Sequence, residues 1–147
     1  MKYASQRIAY WYFSAAMLLF VLQVVFGGLA GAVYVWPNFL AETVPFNIIR
    51  MIHTNALIVW LLLGFFGAGY YLIPEETERE IESPLLAYVQ LVLLLVGAVA
   101  AVVGYLFGWT AGNKFLEQPF PVKIAIVVVM VLFLYNLIMT IRRAGRW

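Results

Sequence analysis

Several residue types are absent or scarce in this chain of 147 residues, and their absence limits what it can do. It contains no cysteine, which excludes disulfide bonds, thiolate metal sites, iron–sulfur clusters and haem attached covalently through a Cys-x-x-Cys-His motif. Only 11% of its residues are charged, the net charge is +2, and no basic block is long enough to suggest nucleic-acid binding. Histidine occurs once, at position 53, so a site that needs several imidazole ligands cannot be built from this chain alone.

Apolar sequence is abundant instead, because 65% of the chain is hydrophobic whereas soluble domains are nearer half. Four apolar runs, roughly 8–34, 46–73, 84–109 and 121–141, reach the length of about 20 residues that a membrane span requires. In lipid each run must satisfy its own backbone hydrogen bonds, which predicts helices. The connections 36–45, 74–83 and 111–119 are short and favour antiparallel neighbours. The predicted fold class is therefore all-α, a single integral-membrane antiparallel four-helix bundle over 1–147.

The distribution of basic residues predicts how this bundle is oriented. An even number of spans places both termini on one side of the membrane, together with the connection 74–83. That side carries six basic residues: Lys2, Arg7, Arg79, Arg142, Arg143 and Arg146. The opposite side carries three: Arg50, Lys114 and Lys123. This excess favours cytoplasmic termini in a bacterial-type inner membrane.

His53 is the main candidate for a functional residue. An ionisable side chain inside a membrane span is costly and marks a functional site by default, and imidazole is a common axial ligand of haem iron. Counted from the helix start near Pro45, His53 lies about 12 Å along the axis, in the outer half of the bilayer. Arg50 lies one turn nearer the outer surface on the same face, where a guanidinium would suit the propionate carboxylates of a haem.

The surroundings of His53 allow more than one interpretation. Gly64 and Gly67 either clear space for a planar cofactor or allow close helix packing, as small residues in membrane spans commonly do. His53 is either an iron ligand or a neutral histidine that is hydrogen-bonded within the bundle, to Asn55 or Gln23. Spacing alone leaves both alternatives open.

Longer stretches of the chain resemble a known family. Positions 45–60 read PFNIIRMIHTNALIVW and positions 64–76 read GFFGAGYYLIPEE, which resembles the second helix of the nitric oxide reductase catalytic subunit, in the haem-copper oxidase subunit I superfamily. The run FLEQP at 115–119 resembles the segment before the family's fourth helix, and ASQ at 4–6 resembles its start. The likeness covers nearly the whole chain.

The resemblance implies roles for particular residues. His53 would be an axial ligand of a low-spin, non-covalent haem b on the outer side of the membrane, with Arg50 near the propionates. Lys114 stands where the family has a glutamate that helps to bind calcium, so no calcium is expected here. The Lys114 ammonium either offsets propionate charge in place of that ion or is an ordinary solvated loop lysine.

The family's other haem and iron ligands lie in later helices, so the source of a second axial ligand stays open. Two copies of the chain can share one haem through their His53 residues, as a two-fold homodimer about the membrane normal. Met130, at a similar depth in the fourth span, can give His/Met ligation. A five-coordinate iron is the third alternative. We expect the symmetric homodimer.

The function expected from these inferences is that of a small stand-alone haem protein for electron transfer or haem handling. It would lack a binuclear centre and would not reduce nitric oxide or oxygen alone. Its partners would be lipid and a quinol, a cytochrome or another redox subunit. A second interpretation is an N-terminal fragment or split subunit of such a reductase, and a third is a non-redox membrane assembly subunit.

Overall fold

The computed structural model describes residues 2–40 and 43–145, and four α-helices make up most of this part of the chain. They are α1 (Ala4–Val35), α2 (Phe46–Thr77), α3 (Pro84–Leu106) and α4 (Phe120–Ala144). All four are long and apolar enough to cross a membrane. The predicted all-helical, multi-pass membrane fold is thereby confirmed. Arg146, which was used to predict the orientation, lies outside the described residues.

Two helix ends differ from the prediction for local reasons. Helix α2 continues through Pro74, where the sequence predicted a loop, and ends only after Thr77. The Thr77 hydroxyl donates to the Ile73 carbonyl at 2.7 Å, and Glu78 then adopts a left-handed φ of 53° that stops the helix. Helix α3 ends at Leu106, earlier than predicted, and Gly108 with φ of 74° turns the chain away.

Helices α1 and α2 run antiparallel and form the closest pair in the bundle. Tyr12 of α1 lies against Gly67 of α2, and Gly27 of α1 lies against His53. Residue numbers therefore increase along α1 in the direction in which they decrease along α2. Glycines at these two points let the helix backbones approach each other closely.

Helices α3 and α4 form the second antiparallel pair, joined by buried amides. Gln90 of α3 donates to the Val129 carbonyl of α4 at 3.1 Å. Asn136 of α4 accepts from the Ser83 N–H and donates to the Ser83 carbonyl, both at 2.9 Å. Tyr70 of α2 donates to Gln90, which ties the two pairs together.

Three chain segments meet at one end of the bundle. The Glu80 carboxylate accepts from the backbone N–H of Ala4 at 2.6 Å and also from that of Ser5, so it caps the start of α1. Arg143, in the last turn of α4, pairs with Glu82 at 2.7 Å. The start of α1, the α2–α3 connection and the end of α4 therefore lie on the same side.

The bundle buries little of its own apolar surface. Only 11% of the most apolar window of α1 and 17% of that of α4 are buried within the described residues. Exposed apolar surface on this scale requires lipid or further protein around it, as a membrane-embedded bundle demands.

Candidate functional site

His53 lies in the third turn of α2, with its ring against α1. Its Nδ1 is 2.7 Å from the backbone carbonyl oxygen of Gln23. A carbonyl can only accept, so a neutral imidazole here donates from Nδ1–H and keeps its lone pair on Nε2. Metal-bound histidines are commonly oriented by this type of hydrogen bond. His53 therefore forms a hydrogen bond within the bundle to Gln23, one of the two partners considered from the sequence, and its Nε2 is still able to bind iron.

Gly27 sets the distance between this ring and α1. A Cβ atom on Gly27 would lie 2.8 Å from Cε1 and 2.9 Å from Nδ1 of His53, closer than side-chain carbons approach. Any other residue at position 27 would push the imidazole away from the Gln23 carbonyl. Gly27 is thus a positioning residue for the imidazole.

The second ring nitrogen of His53, Nε2, is the atom that could act as a metal ligand. His53 is half-buried, and within 2–40 and 43–145 no hydrogen bond engages its Nε2. The same residues contain no group of three or more histidine, cysteine, aspartate or glutamate side chains that could hold a metal ion. One free imidazole nitrogen fits a haem, because the porphyrin supplies the remaining in-plane ligands and only axial ones come from protein.

One turn from His53, Arg50 forms an ion pair that the sequence did not predict. Its Nη2 lies 3.0 Å from Oε1 of Glu117, whose side chain is 3% exposed while that of Arg50 is 33% exposed. The other carboxylate oxygen accepts from Asn55 Nδ2 at 3.1 Å. Gln118 donates in turn to Asn55. These contacts fasten the segment before α4 to the N-terminal half of α2.

The ionisation of Glu117 follows from this setting. Burial by itself would raise the pKa of its carboxyl, but hydrogen bonds from Asn55, Arg50 and the backbone stabilise the charged form and lower the pKa below its ordinary value. Glu117 is therefore a buried anion at neutral pH. It neutralises part of the Arg50 charge next to the candidate haem site.

The structure gives the positions of the other predicted site residues but does not test their predicted roles. Arg50 keeps further N–H donors beyond the one used by Glu117, so its role toward a propionate stays a prediction. Lys114 is exposed near the tip of the α3–α4 connection, and its role also stays a prediction. Gly64 faces open space, whereas Gly67 lies against Tyr12 and so serves helix packing.

The residue roles that sequence reasoning missed share one property. Gly27, Asn55, Glu117 and Gln118 acquire their roles only when separate segments meet. A weak signal existed in FLEQP at 115–119, where a charged residue stands among apolar neighbours just before a span. Such a residue is a candidate for burial in an ion pair, since an unpaired charge would be costly there.

The fold and this site define a helical membrane protein with one histidine available as a ligand. Comparison with known proteins identifies the family to which it belongs. The family described as "Cytochrome C and Quinol oxidase polypeptide I" matches residues 7–147, and the chain belongs to that family. It is 47% identical to a nitric oxide reductase subunit of Stutzerimonas stutzeri over 160 aligned positions, which cover 99% of this chain. The chain spans 34% of that relative's length. The predicted resemblance is thereby confirmed.

The low pKa of Glu117 predicts a pH-dependent contribution to stability. Because the carboxyl binds its proton at a lower pH in the folded state than in the unfolded state, its contribution is complete above the ordinary pKa of about 4.5 and is lost as pH falls through the folded-state value. We expect the thermal unfolding temperature to fall on acidification below pH 4.5, and less so in Glu117→Gln. The exposed substitution Lys114→Gln in the same connection is the control and should keep the wild-type profile. Equal acid sensitivity in Glu117→Gln would contradict the assignment.

Proposed function

We propose that this chain binds a b-type haem non-covalently, through Nε2 of His53, and serves in electron transfer within the membrane. The observation that carries the proposal is the hydrogen bond between Nδ1 and the Gln23 carbonyl, which leaves Nε2 as the free ligand atom. Family membership supports it, since haem-copper oxidase subunits generally bind haem. A haem whose two axial positions are filled supplies one-electron transfer rather than gas binding.

The protein's own contribution in this proposal is orientation and charge. The Gln23 carbonyl fixes the tautomer of His53, and Gly27 lets the ring reach that carbonyl. Arg50, held by Glu117, brings positive charge to the outer side of the ring, where carboxylates of a bound cofactor would be stabilised. Lys114 would add to that positive charge in place of calcium.

A second axial ligand would come from outside the four helices. Met130 is 44% exposed on α4, and in the described residues α4 contacts α2 and α3 but not α1, against which His53 lies. This placement gives no support to a His/Met pair within one chain. The candidates are His53 of a second copy, which makes a homodimer that shares one haem, and a histidine on additional helices.

The second candidate function is that of the N-terminal part, or one subunit, of a nitric oxide or oxygen reductase. This chain matches 34% of the length of a reductase subunit, and that coverage supports the second function as strongly as the His53 site supports the first. One histidine is too few for a binuclear centre, so gas reduction would depend on histidines elsewhere. In both cases His53 performs the same task. Electrons would reach it from a quinol or a cytochrome.

We also propose an orientation for the bundle. The end where α1 starts and α4 ends carries most of the basic residues and would face the cytoplasm of an inner membrane. His53 then lies in the outer half of the bilayer, on the side from which a periplasmic electron carrier would approach.

The visible spectrum of the purified protein tests the haem proposal. Wild type from haem-replete cells should show sharp reduced bands of six-coordinate haem that do not shift with carbon monoxide. His53→Ala should lose them entirely, because this chain has no other imidazole to replace the ligand. Met130→Leu is the matched control and should keep them. Haem retained with unchanged bands in His53→Ala, or no haem in wild type, would refute the assignment and favour a non-redox assembly subunit.

Neighbouring glycines offer a sharper test of the geometry. Gly27→Ala should weaken haem affinity by about 10- to 100-fold, the usual cost of losing the outer-shell partner of a ligand. Gly28→Ala adds the same methyl group where nothing lies within 4 Å and should bind haem as wild type does. Haem titration of both variants measures the difference. Equal affinities would show that the imidazole does not need the Gln23 carbonyl.

The haem-to-chain ratio separates the two sources of the second ligand. A homodimer sharing its haem through both His53 residues gives one haem per two chains, and His53→Ala abolishes pairing as well as binding. If additional helices supply the ligand, the ratio is at least one haem per chain. Quantitative haem and protein analysis of the purified, monodisperse complex decides between them.

A further inference from the structure

The outer half of the bundle contains a small cavity that plays no part in the proposed haem site. Its volume is about 40 Å³, and it lies between all four helices, with Leu19 and Leu22 of α1 forming part of its wall. Most of its walls are apolar, and they include Ile52, Ala56, Leu94, Ala101 and Val122. The exceptions are Asn55, Tyr105 and Gln118, which also line it.

Two of these polar side chains are buried with an atom left unpaired. Tyr105 is 1% exposed and Gln118 is 4% exposed. The Tyr105 hydroxyl and the Gln118 Oε1 make no hydrogen bond to any group within 2–40 and 43–145. Asn55 cannot serve them, because its Nδ2 donates to the Met51 carbonyl and to Glu117 and its Oδ1 accepts from Gln118. Buried polar groups in proteins are nearly always paired, so both atoms call for a partner.

Size and chemistry together select the partner. A cavity needs roughly 10–15 Å³ to hold one water molecule, so this one has room for about three, and it is far below the few hundred cubic ångströms of a small-molecule pocket. The occupant must donate to a carbonyl oxygen and also hydrogen-bond to a phenol. Water does both, whereas an apolar gas molecule satisfies neither atom. No charged side chain lines the cavity, which gives an ion no counter-charge.

We infer that this cavity is an internal water site, in which bound water bridges the Tyr105 hydroxyl and Gln118 Oε1. The bridge extends the buried network Glu117–Asn55–Gln118 to the end of α3. Three separate segments, namely α2, the end of α3 and the connection before α4, are then joined by polar contacts. This function is independent of whether His53 binds haem.

Water-to-protein polarisation transfer in solid-state NMR tests the inference directly. The protein is purified with its cofactors and partners and reconstituted in lipid bilayers. The chain offers matched controls: Tyr12 and Gln90 are equally buried, but Tyr12 donates to the Ala87 carbonyl and Gln90 to the Val129 carbonyl. We expect transfer from water to the Tyr105 and Gln118 side chains to be several-fold faster than to Tyr12 and Gln90. Equal rates for the two pairs would show that the cavity is dry and would overturn the inference.

Tyr105→Phe provides a second measurement. If water pairs the hydroxyl, removing it deprives the water of a partner, and the unfolding temperature should fall by about 2–4 °C. If the hydroxyl has no partner, its removal should leave that temperature unchanged or raise it, which would count against the site. Tyr135→Phe, on the exposed surface of α4, is the control and should change nothing.

Discussion

The hydrogen bond between Nδ1 of His53 and the Gln23 carbonyl is the interaction on which the functional interpretation depends. It joins α1 to α2 and fixes which nitrogen of a neutral ring carries the proton, so that the other nitrogen keeps its lone pair. It forms only because Gly27 has no side chain. The same contact packs two membrane helices together and orients the imidazole that we propose as the iron ligand.

The Glu117 carboxylate organises the other side of α2 in a comparable way. It lies in a connection rather than in a helix, yet it is buried by its contacts with Arg50 and Asn55. A buried ion pair of this kind is weak support for stability, since desolvation offsets most of its attraction. Both of its carboxylate oxygens are nevertheless paired, one with Arg50 and one with Asn55, which ties the segment before α4 to α2. The cavity next to Gln118 continues the same polar system toward α3.

The sequence predicted the helices well because length and hydropathy are local properties of a chain. It failed at Pro74, because proline usually ends a helix, whereas α2 continues through Pro74 to Thr77 and its Glu75 accepts a hydrogen bond from Gln6 of α1. His53 could be found because it is the one histidine in an apolar run. The roles of Gly27 and Glu117 could not, because they depend on how helices are aligned with one another. Apolar periodicity shows which face of a helix is buried, but it does not reveal the residue opposite.

The cap on α1 has a consequence for the whole bundle. Glu80 holds the first amides of α1 from a different segment, while Gln23 lies about 28 Å further along the same helix. Helix α1 is therefore held by side chains of other segments at two points, by Glu80 at its first turn and by His53 at Gln23, and its position in the bundle is fixed along most of its length.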